Sequence, residues 1–226
     1  MKNLIKKIPF ISTIARKFYY TYIVPYKSFA KSEDYWKERY QSGGTSGPGS
    51  YYHLAEFKAE VINAFVKEKE INSVIEFGCG DGNQLLLAEY PGYIGFDVSP
   101  DAILQCEKLF AMDKAKSFKL ISEFSSETAP LTLSLDVIYH LLEDSVFHAY
   151  MDRLFDSSTK YVIIYSSNIN LPASFHVKQR KFSTWIDKNR TAWKLVKKVL
   201  NKYPYKGIND NENEKSIADF YIYEKA

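Results

Sequence analysis

The stretch VIEFGCGDGN at residues 74–83 constrains the chain more than any other, because it sets three of the ten glycines at alternate positions directly behind an apolar run. Glycine costs conformational entropy in an ordered chain and is kept where φ must be positive or where something approaches the backbone closely. The run Val74-Ile75-Glu76-Phe77 is short, apolar and β-branched at its start, the pattern of a strand covered on both faces. Asn83 to Ala88 reads as the first turns of a helix. A strand, a glycine turn and a helix N-terminus aim backbone N–H groups and a positive dipole end at one point, so a ligand is expected there.

Downstream the pattern alternates. Strands are predicted over 93–98, 117–122, near 131–136 and over 161–166, with helices over 100–112 and 143–156. This βαβ alternation implies a mostly parallel sheet with helices on both faces. Ser99-Pro100 suits the start of the second helix, serine as cap and proline at the first helical position. Upstream, apolar residues from Leu54 to Val66 form a helical stripe within 51–69. Trp193–Leu200 and Ala218–Tyr223 read as two closing strands around a polar loop. The second strand ends in YIGFDVS, which places Asp97 twenty-one residues after Glu76. An acid at that tip is where a ribose diol is held by a carboxylate accepting two hydrogen bonds. Capping of the following helix is the competing role for Asp97.

Composition supports a globular chain, at 46% hydrophobic and 25% charged residues. Cys79 and Cys106 are too few and too ill-spaced for a disulfide framework or a zinc site, so a reducing, cytoplasmic setting is expected and no metal is. Charge is unevenly spread: residues 1–31 carry +7 and residues 176–206 carry +9, against a net charge of only +3. Phe10, Ile14, Phe18 and Tyr22 recur at helical spacing in the first segment, giving a basic amphipathic helix that either rests on anionic lipid or packs as a cap. Its apolar stretch is broken by Arg16 and Lys17, too short to span a bilayer, and no cleavage pattern follows. QSGGTSGPGS at 41–50 reads as a mobile hinge or lid. The expected organisation is therefore a helical extension and loop over 1–50 and one catalytic domain over 51–226.

The motif Glu76-Phe77-Gly78-Cys79-Gly80-Asp81-Gly82 resembles the acidic-x-Gly-x-Gly-x-Gly first motif of class I S-adenosylmethionine-dependent methyltransferases, and Asp97 matches their ribose-binding acid. The resemblance covers roughly residues 51–226. It implies a Rossmann-like α/β fold with a seven-stranded sheet, five strands parallel and a C-terminal antiparallel hairpin. It also implies S-adenosylmethionine as cofactor, with Gly78, Cys79 and Gly80 lining the methionine part, Glu76 orienting its amino group and Asp97 on the ribose. Val98 and Tyr51 join the candidate cofactor contacts, and Asp136 to Tyr139 should wall the sulfonium. The place of an adenine-facing acid holds Ser122-Glu123. A nicotinamide-dinucleotide reading fails because the third glycine comes one residue early for Gly-x-Gly-x-x-Gly. YWKERYQSGGTSGPGSYYHLAEFK, DVIYHLLED and HVKQRKF look like stand-alone bacterial methyltransferases found with cell-surface polysaccharide genes.

An alcohol acceptor gains from proton removal during attack, and histidine is suited to that near neutral pH. His140, beside Tyr139 past the fourth strand, is the candidate base or else a cap of the next helix; His176 is the second candidate. Arg180 and Lys181, with Lys178, either clasp an acceptor phosphate or form a solvated basic face. No acidic or amide residue followed by Pro-Pro-aromatic follows the fourth strand, and no nucleic-acid-binding module is attached. The expectation is an O-methyltransferase acting on a small acceptor, a sugar or a nucleotide-activated or phosphorylated intermediate of capsule or other surface-polysaccharide assembly. The alternatives are a noncatalytic binding module of the same fold and an RNA methyltransferase.

Overall fold

A computed structural model of the chain describes residues 31–173, 176–207, 210, 211 and 213–226. The chain divides into residues 1–31 and a compact unit of Ser32–Ala226. The amphipathic helix expected between Pro9 and Pro25, with its lipid contact, lies outside the described residues. Among the described residues no helix is long and apolar enough to cross a membrane.

The larger unit opens with α1 (Ser32–Gln41) and α2 (Tyr52–Glu68), and continues through β1 (Val74–Phe77), β2 (Tyr93–Asp97), α3 (Pro100–Leu109), β3 (Lys116–Leu120) and β4 (Ala129–Leu135). It closes with α4 (Asp144–Asp156), β5 (Ser158–Ser166), α5 (Phe182–Asn189), β6 (Trp193–Val199) and β7 (Asp219–Lys225). The seven strands run in the order β3-β2-β1-β4-β5-β7-β6. The first five are parallel, while β7 is antiparallel to both β5 and β6.

Burial on both faces explains the apolar strands. Tyr161, Ile163 and Tyr165 of β5 join a core with Phe57, Ile62 and Phe65 of α2. Val162 and Ile164 point the other way, into a core with Phe147, Met151 and Leu154 of α4 and Phe182 of α5. Such two-sided strands belong in the interior of an α/β sheet, and order reverses between β1 and β4, the switch point at which open α/β sheets bind ligands.

The segment after the glycines departs from the sequence reading. Only Gln84–Leu87 form a single 3-10 turn, and Ala88 is already extended at ψ 136. Pro91 disfavours a helical Tyr90. Asn63 of α2 pins the segment by donating from Nδ2 to the Leu87 carbonyl at 2.9 Å and accepting from the Glu89 amide at 3.0 Å. A one-turn element has no appreciable macrodipole, so the anion-binding argument from a helix N-terminus falls away.

Candidate active site

Gly78, Gly80 and Gly82 all take positive φ, at 89°, 60° and 79°. What approaches them is this chain itself. A Cβ on Gly78 would lie 2.5 Å from Val137 Cγ2, and one on Gly80 would lie 2.2 Å from Ser46 Oγ and 2.9 Å from the Tyr40 hydroxyl. One on Gly82 would lie 3.0 Å from Cys106 Sγ. The glycines therefore thread the turn between α3, the loop after β4 and the segment after α1.

Asp97 is buried at the tip of β2, directly beside this turn. Its Oδ2 accepts from the Gly80 amide at 3.0 Å and its Oδ1 from the Ser99 amide at 2.9 Å. The cap of α3 is Ser99, whose Oγ accepts from the Ala102 amide, so Asp97 is not the capping residue. The Val98 amide bonds the same carboxylate, so of its roughly four lone-pair sites one remains to accept from a ribose hydroxyl. Burial pushes the Asp97 carboxyl up, against the pull of its backbone amides. Glu76 is also buried; burial raises it to about 7, although the Tyr93 hydroxyl donates to Oε2 at 2.6 Å and favours the charged form. Cys79 sits beneath, its amide on the Phe96 carbonyl. Val98 is half-buried next to Asp97.

After β4 the chain turns sharply at Asp136, a non-glycine residue at φ 60°. Its amide donates to the Tyr165 carbonyl at 2.9 Å. Its carboxylate accepts from Lys58 Nζ at 2.8 Å and from the Tyr139 hydroxyl at 2.8 Å. Lys58 is 1% exposed and its ammonium also stands 5.3 Å over the Tyr165 ring. Sequence reasoning missed Lys58. A signal was available: the lysine falls four residues after Leu54 and four before Ile62, inside the apolar stripe of α2 where a charge needs a partner.

His140 follows. Its Nδ1 lies 3.1 Å from the His176 carbonyl, which can only accept, so Nδ1 carries the proton and Nε2 the lone pair. Burial pushes the imidazole down to about 4, more than the His176 carbonyl pulls it up. Its ring stacks on His176 at 5.4 Å and meets the edge of Trp36 at 4.9 Å, while Tyr35 stacks on the other side of His176 at 4.7 Å. Burial and the Arg39 charge lower His176 as well. Helix α4 is preceded by Glu143, so His140 does not cap it.

The phosphate clasp expected of Arg180 is not available, because its fork is spent inside the chain. Nε and Nη2 donate to Asp144, Nη1 to the Leu141 carbonyl and Nη2 to the Leu142 carbonyl. The guanidinium also covers the Phe147 ring at 4.8 Å. Lys178 pairs with Asp144 at 2.8 Å. Lys181 is exposed, and its amide donates to Asn170. Arg180 thus fixes the loop that carries His140.

Helix α1 and the loop behind it cover the site. Ser32 donates from its amide to Glu143 Oε1 at 2.8 Å and from its hydroxyl to Oε2, and accepts from the Leu142 amide. The Gly/Ser loop, expected to be mobile, is tied to the glycine turn. The Ser46 amide donates to Asp81 Oδ2 at 2.8 Å, and the Asp81 amide returns a bond to Ser46 Oγ at 3.0 Å. Tyr51, expected at the cofactor, donates its hydroxyl to the same Oδ2 at 2.8 Å. A Cβ on Gly49 would lie 2.9 Å from Asp136 Oδ2, so the loop reaches the turn after β4 as well.

Sheet order, switch-point carboxylate and glycine turn define the Rossmann-like fold of class I methyltransferases, and solved structures agree. The methyltransferase domain of bacterial CtHen1-C is 20% identical over 74% of this chain and 96% of that one, with a TM-score of 0.57. The N-methyltransferase NodS from Bradyrhizobium japonicum WM9, in complex with S-adenosyl-L-homocysteine, is 14% identical over 86% of this chain and 98% of that one, TM-score 0.60. Magnesium protoporphyrin IX methyltransferase from Synechocystis PCC 6803, with the same bound product, is 13% identical over 95% and 100%, TM-score 0.58. No protein-family model and no curated protein matches the chain.

Proposed function

We propose that the chain is an S-adenosylmethionine-dependent methyltransferase that transfers the methyl group to a hydroxyl of a small acceptor. The observation that carries it is Asp97, a buried carboxylate at the tip of β2 that the Gly80 and Ser99 amides orient beside the glycine turn, with a lone pair left for a ribose hydroxyl. When bound, S-adenosylmethionine supplies a methyl group made electrophilic by positive sulfur. The protein's part is positioning and water exclusion. Asp97 orients the nucleoside, Glu76 offers a buried carboxyl to the amino group, and α1 with its loop screens the site. Pushed down to about 4, His140 is uncharged at neutral pH and holds its Nε2 lone pair ready for the acceptor's proton. Tyr139, fixed by Asp136, stands beside it.

The resemblance of three segments to methyltransferases of polysaccharide gene clusters makes a sugar or an activated sugar intermediate of surface-polysaccharide assembly the proposed acceptor. Because Arg180 is engaged within the chain, nothing in this reading depends on an acceptor phosphate. Two free, buried cysteines support a reducing, cytoplasmic setting, and the basic segment 1–31 offers a peripheral contact with anionic membrane. Calorimetry with S-adenosylhomocysteine tests the cofactor, and failure to bind refutes the reading. A screen of activated sugars with isotopically labelled methyl donor tests the acceptor. Label on nitrogen would replace the O-methyl reading, and label on added RNA would replace the small-acceptor reading.

A further inference from the structure

Asp81 lies between the second and third glycines, where the turn's own geometry needs only backbone. Its side chain is nevertheless buried and engaged at both oxygens: Oδ1 accepts from the Asn83 amide at 3.1 Å, and Oδ2 from the Ser46 amide and the Tyr51 hydroxyl, both at 2.8 Å. Two of these donors come from residues 30 and 35 positions upstream, so the carboxylate joins two segments that the chain does not bring together by itself. The reciprocal bond from the Asp81 amide to Ser46 Oγ, a hydroxyl that also pairs with Tyr40 at 2.8 Å, doubles the tie. Asn83 adds another from its side chain to the Ser50 carbonyl at 2.7 Å. The tied loop contains Gly43 and Gly47 at φ 78° and 95°, a conformation reached through residues without side chains.

We infer that Asp81 is a positioning residue that latches the 42–51 loop over the glycine turn, and that opening this latch controls entry and release of the methyl donor. The inference rests on the methyl-donor reading above. It reassigns Tyr51: its hydroxyl is spent on Asp81, so it acts on the cofactor through the loop instead of by contact. Hydrogen bonds to a charged group are the strong ones, and three converge on one carboxylate. Loops that close over a ligand set its exchange rates, and a lost latch speeds both directions.

The test uses S-adenosylhomocysteine as probe, with affinity from calorimetry and release from a stopped-flow chase, on the full chain and its Tyr51→Phe, Ser46→Ala, Asp81→Ala and Tyr51→Phe/Asp81→Ala variants. Tyr51→Phe should speed release by about tenfold or more, the worth of one charged hydrogen bond. Association should speed up too. In the Asp81→Ala background the further Tyr51→Phe change should alter release less than about twofold, because both substitutions remove the same contact. If Asp81→Ala does not fold, Asp81→Asn takes its place in the cycle, and Ser46→Ala must still accelerate release. Independent, multiplying effects would put Tyr51 on the cofactor directly and overturn the latch, as would unchanged release in the Tyr51 and Ser46 variants. If the unaltered chain binds no S-adenosylhomocysteine, the methyl-donor reading fails and the latch with it. Binding with unchanged kinetics overturns the latch alone.

Discussion

Replacing Lys58 by Met removes an ammonium that is 1% exposed and leaves the Asp136 carboxylate, 16% exposed, without its cation. Methionine fills nearly the same volume, so the change is mainly electrostatic. Breaking a buried pair by removing one partner costs about 3–5 kcal/mol. Two features lower that figure here: Asp136 retains some contact with water, and the Tyr139 hydroxyl at 2.8 Å still donates to it, a bond worth roughly 1.5–3 kcal/mol beside a charge. The expected loss is therefore about 2–4 kcal/mol, or roughly 5–15 °C in Tm for a chain of this size. Asp136 is also held at φ 60°, a conformation that costs a non-glycine residue about 1 kcal/mol or more. Only the Tyr139 hydroxyl and the Asp136 amide bond to the Tyr165 carbonyl would then offset this strain at the turn that carries Tyr139 and His140. Urea unfolding at pH 7.5, without cofactor, measures the loss. The Lys58→Met/Asp136→Asn double variant should recover about half of it or more, since no charge is left buried alone. A loss below about 1 kcal/mol in the single variant, or a double variant no better than the single, would refute the account of the pair as a buried, mutually dependent unit.

Gly80→Ala should destabilise the fold by about 2–3 kcal/mol, because its Cβ would meet Ser46 Oγ at 2.2 Å and φ is 60°, and S-adenosylhomocysteine binding measured by calorimetry should weaken with it. A stable variant with full affinity would remove the close approach from the argument. Glu76, raised from 4.5 to about 7, binds more protons in the folded than in the unfolded state, so its contribution is present below pH 4.5 and lost as pH rises through 7. The stability difference between Glu76→Gln and the unaltered chain, followed by denaturant unfolding, should accordingly move in favour of the variant from pH 5 to 8. A flat difference would contradict the burial of an ionisable carboxyl. Arg180→Ala strips the donors from the Leu141, Leu142 and Asp144 acceptors and should cost about 2–3 kcal/mol. Thermal melts should show inorganic phosphate stabilising the unaltered chain no more than the variant; a difference would restore the phosphate clasp.

The sequence by itself determined the sheet and the placing of Asp97 beside the glycine turn, because these are written in local pattern. Two-sided apolar runs specify interior strands, and an acid at the tip of β2 behind a glycine turn specifies where Asp97 stands. Ser99-Pro100 marked the start of α3 for the same reason, since capping depends on residues a few positions apart. The helix expected at 83–88 is the local reading that failed: Leu85, Leu86 and Leu87 have helical composition, and only packing against Asn63 with Pro91 downstream decided for one turn and an extended return. Everything that depends on distant partners had to wait for tertiary structure. Arg180 looked like a free fork until folding brought Asp144 and the Leu141 and Leu142 carbonyls against it. Lys58 stands out of place in the apolar stripe of α2, but its partner Asp136, 78 residues away, is set only by the fold. The three glycines read as room for a ligand, and folding filled that room with Val137, Ser46 and Cys106. The physical reason is the same in each case: a sequence encodes backbone preference and burial within a few residues, whereas the partner of a charge or hydroxyl is chosen by which segments the closed sheet places within hydrogen-bond reach.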